Sequence, residues 1–313
     1  MTAIPVIALD GDEAKVADEI SRACTESGFF VVREAGLDRK VFDDVYEESM
    51  EFFRRPVAAK NAYPMRTSTA RGDNDYSPYG YSALLAENAF AYTGKQGMPA
   101  DYVEKFSAGR LVLDDAEDLP FPADERGAAL RRAMKTYFAV CETVADRIAE
   151  LLTVALELPR DFFAIRTDRS NDSLRSQFYP GVHEEFGNDQ GMGEHTDGTL
   201  ITLLSEDGPG LQLRDLSGTW LDVDVERRDW FVVNIGDLMA RWSNDEYVST
   251  PHRVKLAGRP RQSIVFFKLA NDDALIECFP KFTRERPAAY EAIRYETFSR
   301  QKMNALFGRE DQP

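Results

Sequence analysis

The chain contains three histidines, and one of them stands in "GEHTDGTLITLL" (193–204), two residues before an acid: His195 and Asp197. An imidazole and a carboxylate can each offer a lone pair to a divalent cation, so the pair is the raw material of a metal site. Alone it is weak, because a His-x-Asp sequence at a strand edge is more often structural. If both residues lie on one strand, they point to the same face and can aim at one ion. A third ligand must come from elsewhere. His252, in "STPHRV", 55 residues after Asp197 and at the start of another expected strand, is the candidate. Two histidines and one carboxylate on one face of an octahedron leave three positions open, as non-haem Fe(II) oxygen chemistry requires. A zinc hydrolase would also use three protein ligands and a water, although neither an HExxH sequence nor a pair of cysteines supports it here. His183, in the polar "GVHEEFGND", reads as an exposed loop residue.

Nine residues after His252 comes Arg261, in "RPRQSIVFF", with Ser263 two further on and on the same face of an expected strand. An arginine turned into a barrel is a costly buried charge until a carboxylate meets it. A dicarboxylate ligand would satisfy it, with the Ser263 hydroxyl as a second donor.

The elements that must hold these residues are legible in the patterning. Near the N-terminus "IPVIAL" and "FFVVRE" read as strands around a helix in "DGDEAKVADEISRACTESG", whose apolar face carries Val16, Ile20 and Ala23 and which Gly28 closes. A second helix is expected from about Asp38 to Phe53. Residues 61–110, with "RTSTARGDNDYSPYGYS", read as a long irregular loop and a candidate lid or substrate surface. A long helix follows over 124–158, with Leu130, Met134, Tyr137, Cys141, Val144, Ile148 and Leu151 on one stripe; Pro159 ends it, which favours packing on a sheet over a coiled coil. Over 172–270 short β-rich runs alternate with turns, the signature of a sandwich or jelly roll, and a last helix is expected over 285–308. The reading is one domain over 1–313: an N-terminal α/β region (1–120), the long helix, the β core and the C-terminal helix.

Composition narrows the partners. With 38 basic and 54 acidic residues the net charge is −16, a surface that repels phosphate backbones and anionic lipid, so neither nucleic acid nor membrane is expected as a partner. The three scattered cysteines suit a reducing compartment, the N-terminus lacks the features of a signal peptide, and a cytoplasmic location is expected. Oligomeric state is left open by the sequence.

Taken together, HTD at 195–197, "NIGDLMARWSNDEYVSTPHRV" at 234–254 and R-x-S at 261–263 resemble the isopenicillin N synthase-like family of Fe(II)/2-oxoglutarate-dependent dioxygenases, and "GFFVVRE" and "DYVEKFSAGR" resemble its N-terminal region. The resemblance implies a mainly β, α+β fold: a double-stranded β-helix (jelly roll) with packed N- and C-terminal helices. It implies that His195, Asp197 and His252 hold iron and that Arg261 and Ser263 meet the distal carboxylate of 2-oxoglutarate. Tyr179 matches a co-substrate tyrosine, and Gln177 stands where many relatives have asparagine. The implied reaction consumes O2 and 2-oxoglutarate and hydroxylates, desaturates or cyclises a small molecule, by analogy a natural-product intermediate of secondary metabolism; retention of Asp197 disfavours halogenation. Two alternatives are a 2-oxoglutarate-independent iron oxidase of the same fold and a non-catalytic metal-binding jelly roll. Arg66, Arg71, Tyr76, Tyr79, Tyr81, Arg110 and Phe267 are candidate substrate contacts.

Overall fold

The computed structural model describes residues 4–306 except 34–36, 66–78, 96, 114–119, 183–187, 226 and 285. Its elements run β1 (Val6–Ala8), α1 (Glu13–Glu26), β2 (Phe29–Arg33), α2 (Arg39–Phe53), α3 (Val57–Lys60), β3 (Gly80–Ser82), β4 (Glu104–Gly109), α4 (Arg110–Leu113), α5 (Glu125–Ala155) and α6 (Ala164–Thr167). There follow β5 (Ser173–Tyr179), β6 (Gln190–His195), β7 (Ile201–Glu206), β8 (Leu211–Arg214), β9 (Trp220–Asp222), β10 (Phe231–Ile235), α7 (Asp237–Trp242), β11 (His252–Lys255), β12 (Arg261–Lys268), β13 (Leu275–Ile276), β14 (Ile293–Arg294) and α8 (Tyr295–Leu306).

Eight strands form one sheet in the order β1-β2-β10-β7-β12-β5-β4-β3, and a second sheet has the order β6-β11-β8-β9. The two-residue period of a strand decides what each face of the large sheet meets. Along β7, Ile201 and Leu203 face the helices with Phe231 and Ile264, while Thr202 and Leu204 face a cavity between the sheets. The helical side is closed by α5, whose stripe from Leu130 to Leu152 is buried, and by α1 and α2 packed against it. Side chains start these helices: Asp12, Asp38 and Asp124 each accept a backbone N–H in the first turn of α1, α2 and α5. On the other face Met192, Leu211, Leu213, Val232 and Val254 form a smaller apolar layer. Among the described residues no helix is long and apolar enough to cross a membrane. The mixed sheets with flanking helices make an α+β jelly roll.

The structure departs from the sequence expectations in three places. Residues 61–110 are not one irregular loop: they contain β3, a 3-10 turn at Ala89–Thr93 and β4, which extend the large sheet past β5. The aromatic Tyr81 and Phe106 of these strands pack on Phe52, which overrides the Gly- and Ser-rich composition around them. "DLMARW", within the expected all-β stretch, forms α7. The last helix begins at Tyr295 rather than 285.

Candidate active site

His195 ends β6 and His252 begins β11, and the two are directly opposite each other in the antiparallel pair. Asp197 lies beyond β6 in the connection to β7, so it shares no strand with His195. The expectation that strand alternation aims the two at one ion is therefore incorrect. The loop does it instead: the Asp237 N–H donates to the Asp197 carbonyl (2.7 Å) and the Leu238 N–H to the Thr199 carbonyl (3.2 Å), seating the turn on the start of α7. Gly236 makes this approach possible, since a Cβ there would stand 2.1 Å from the Thr199 carbonyl oxygen.

The ligand atoms of His195, Asp197 and His252 lie within 4.8 Å of one another, and all three residues are buried in that cluster. His195 Nε2 is 3.7 Å from Asp197 Oδ1, and His252 Nε2 is 3.8 Å from Asp197 Oδ2. Each imidazole places Nδ1 against the backbone carbonyl two residues before it, at 2.8 Å (Gly193) and 3.1 Å (Thr250). A carbonyl only accepts, so Nδ1 carries the proton and Nε2 keeps its lone pair for the cavity. Burial, and next the neighbouring His252, push His195 well below the usual imidazole range, which favours the neutral ring. Burial opposes charge on Asp197, but the imidazoles and hydrogen bonds from Asn234 (2.9 Å) and Thr202 (2.8 Å) hold its carboxyl below the usual range. Two imidazoles with Nε2 turned to the cavity and one carboxylate, each oriented by a second partner, fit a divalent cation of the Fe(II) or zinc type.

The cavity behind these residues is about 240 Å³ and mostly apolar, with Phe29, Leu204, Val232, Val265 and Phe267 among its walls. Layers of inward residues follow from the register. Phe267 lies across from Ser173 and Thr202, Val265 from Arg175 and Leu204, Ser263 from Gln177 and Glu206, and Arg261 from Tyr179. Arg261 is 2% exposed and sits 5.0 Å from the Tyr179 ring. It donates through Nε to the Gly208 carbonyl (3.0 Å), through Nη1 to Ser263 Oγ (3.5 Å) and through Nη2 to the Glu206 carboxylate. Tyr179 and Ser263 both donate to Gln177 Oε1, at 2.7 and 3.3 Å. The carboxylate that a buried Arg261 is expected to need is thus present in the chain itself, as Glu206.

The substrate candidates divide. Phe267 lines the cavity. Tyr79 donates to Asn171 (2.6 Å), Tyr81 to Glu104 (2.7 Å), and Arg110 pairs with Glu142 and Asp172, so these three side chains point into other parts of the fold. Arg66, Arg71, Tyr76 and His183 lie outside the described residues. Sequence reasoning missed Arg175, although "LRSQFY" alternates it with Gln177 and Tyr179 on one face. Arg175 lines the cavity and bonds Ser107 (3.1 Å) and Glu87 (3.3 Å). Lys302 of α8, paired with Asp237, also lines the cavity.

Comparison with known proteins agrees with this geometry. The 2OG-Fe(II) oxygenase superfamily profile matches residues 170–269, and that of the non-haem dioxygenase N-terminal region, described from morphine synthesis, matches 4–126. The 2-oxoglutarate-Fe(II) type oxidoreductase hxnY of Emericella nidulans is 30% identical over 97% of this chain and 89% of its own. A full-length Neurospora crassa protein, solved in complex with alpha-KG and thymine, superposes with a TM-score of 0.80 at 28% identity, covering 97% of this chain and 96% of the other. JOX2, solved with 2OG, Fe and JA, gives a TM-score of 0.80 at 25% identity, covering 99% and 90%. The jelly roll, the clustered His-Asp-His set and these likenesses place the chain in the 2OG-Fe(II) oxygenase superfamily, as an Fe(II)- and 2-oxoglutarate-dependent dioxygenase that oxidises a small molecule.

Proposed function

We propose that His195, Asp197 and His252 hold the iron, and that Arg261 and Ser263, with Tyr179 and Gln177 behind them, receive the distal carboxylate of 2-oxoglutarate. The observation that carries this reading is the convergence of three ligand atoms within 4.8 Å at one end of a cavity, with Arg261 deeper in the same barrel. Bound iron and 2-oxoglutarate supply the activation of O2, coupled to decarboxylation of the co-substrate to succinate and CO2. The chain's own residues fix the imidazole tautomer, hold Asp197 ionised, and surround the reaction with apolar walls that limit water.

The substrate is a small molecule, as is the thymine of the Neurospora crassa complex. We assign it the space between the iron ligands, Phe267 and α8, where Arg175 and Lys302 are the cations among the described residues that line it. A compact, largely apolar molecule with one acidic or carbonyl group suits those walls, and a natural-product intermediate is the class proposed. The single domain, the cytoplasmic location and the exclusion of nucleic acid and membrane as partners belong to the same reading. Its support is the net charge of −16 and three free, buried cysteines.

The test is Arg261→Gln, with succinate release measured against 2-oxoglutarate concentration and iron titrated separately. Losing one side of a desolvated carboxylate pair costs on the order of 3–5 kcal/mol, a few hundredfold or more in affinity. The 2-oxoglutarate requirement should rise by about that factor while iron affinity stays within twofold, and Arg261→Lys should fall between. An unaltered requirement would remove Arg261 from the co-substrate site.

A further inference from the structure

The residue that the reading above leaves unexplained is Glu206. It ends β7 on the inner face, across from Ser263, and its side chain is 3% exposed. Its carboxylate bonds Arg261, the group that the 2-oxoglutarate carboxylate must also reach. Around this pair the inward side chains are bonded to one another. Arg261 is shared among Glu206, the Gly208 carbonyl and Ser263, while Ser263 and Tyr179 donate to Gln177. The pair is neutral. Adding a carboxylate to it would leave one net negative charge beside a buried ion pair, which is costly. Exchange with Glu206, rather than addition to the pair, would keep the site neutral.

The fold offers Glu206 somewhere to go. A cavity of about 590 Å³ also borders Glu206, and its lining mixes four arginines, Arg259 among them, with Asp207, Asp224 and Asp229. Arg259 reaches the Asp207 carbonyl (3.3 Å), which places a second guanidinium at the residue next to Glu206. A carboxylate turned out of the barrel there meets a polar lining of mixed charge, Arg259 included, instead of apolar packing.

We infer that Glu206 is an internal counter-ion that the distal carboxylate of 2-oxoglutarate displaces from Arg261, and that it thereby sets how tightly the co-substrate is held. This rests on the assignment of Arg261 to 2-oxoglutarate. It makes Glu206 a positioning residue whose removal strengthens binding, the opposite sign to the loss of any ordinary contact.

The experiment is calorimetric titration of the Fe(II)-loaded protein under nitrogen, so that binding is read without turnover. Two probes are used: 2-oxoglutarate, and 2-oxopentanoate, the same five-carbon 2-oxo acid without the distal carboxylate. Glu206→Gln keeps the shape and removes the charge. It should bind 2-oxoglutarate at least tenfold more tightly than the wild type and 2-oxopentanoate within twofold of it. The gain should vanish in the Arg261→Gln background. Unchanged or weaker 2-oxoglutarate binding by Glu206→Gln, or an equal gain for both probes, would overturn the inference while Arg261→Gln still lost affinity. Unimpaired binding by Arg261→Gln would instead overturn the assignment beneath it. Should Glu206→Gln not fold, Glu206→Asp draws the carboxylate back from Arg261; it should show a smaller gain for 2-oxoglutarate alone, and no gain overturns the proposal.

Discussion

The two ends of the barrel both draw on inward-facing strand positions, with Asp197 added from a loop at the first, yet they handle their polar groups in opposite ways. At the end that carries His195, Asp197 and His252, neighbours take one side of each group and leave the other turned to the cavity: carbonyls hold the two Nδ1 atoms, and Thr202 and Asn234 hold Asp197 Oδ2. At the Arg261 end the groups are turned toward each other, in a closed set of Arg261, Glu206, Ser263, Gln177 and Tyr179. Binding at the first end adds a ligand to donors already aligned. Binding at the second exchanges one partner for another. Affinity at the first is governed by orientation, and at the second by what must be given up.

The largest expected effect comes from breaking the first end outright. His252→Ala removes one of three ligands and leaves a pair that cannot hold Fe(II) against water. Iron binding at micromolar concentration and turnover should both be lost, whereas an equilibrium melt of the metal-free protein should change by no more than an ordinary buried truncation, about 1–3 kcal/mol. Retained iron stoichiometry in a metal assay of the variant would remove His252 from the set.

The wall between the two ends is the next test. Glu87 bridges Lys105 (2.9 Å) and Arg175 (3.3 Å), the arginine that lines the cavity. Burial raises the Glu87 carboxyl, but Lys105 and Arg175 outweigh it and bring it down to about 2 from an ordinary 4.5. A depressed carboxylate stabilises the fold fully above its unfolded value and loses that contribution as pH falls through the folded one. The window is therefore pH 4.5 down to about 2. At about 1.4 kcal/mol per pH unit the contribution is on the order of 3 kcal/mol. Glu87→Gln should lower the denaturation free energy at pH 7 by roughly that amount and flatten the acid limb of the stability curve. A parallel acid limb in wild type and variant would show that Glu87 does not carry it.

The difference between the ends also explains what the sequence could disclose. His195, Asp197 and His252 stand in motif order and two of them are among only three histidines, so their chemistry was readable from the motif even though the geometric argument for it was mistaken; Asp197 is aimed by a loop resting on α7, and a period-two rule has no term for that. Arg261 was legible for the same reason. Glu206 was not, because an acid near the end of "TLITLLSED" looks like the polar edge of a turn. Only the register of β7 against β12 shows that it shares a face with Thr202 and Leu204 and stands beside Arg261. Tyr79, Tyr81 and Arg110 failed the other way. Their composition suggested a substrate surface, but long-range partners on α5, β4 and the segment before β5 claim their polar tips, and such pairings across the chain leave no local signal.

The smallest effect is also the sharpest test of whether the two ends act separately. Asn234 of β10 lies across from Thr202 of β7, and both donate to Asp197 Oδ2. Asn234→Ala removes one of the two donors and leaves the other to orient the carboxylate. Outer partners of metal ligands are worth about 10–100-fold in metal affinity, and with Thr202 retained the loss should sit near the lower figure. Thr202→Val should act alike, and the double variant should lose more than the two single losses combined, since each donor covers for the other. Iron titration measures this, and the second measurement is 2-oxoglutarate affinity at saturating Fe(II) under nitrogen. It should stay within twofold in Asn234→Ala, because Arg261, Ser263 and Glu206 are untouched. If co-substrate affinity fell as far as iron affinity, alignment at one end and exchange at the other would be a single coupled event, and the contrast between them would not stand.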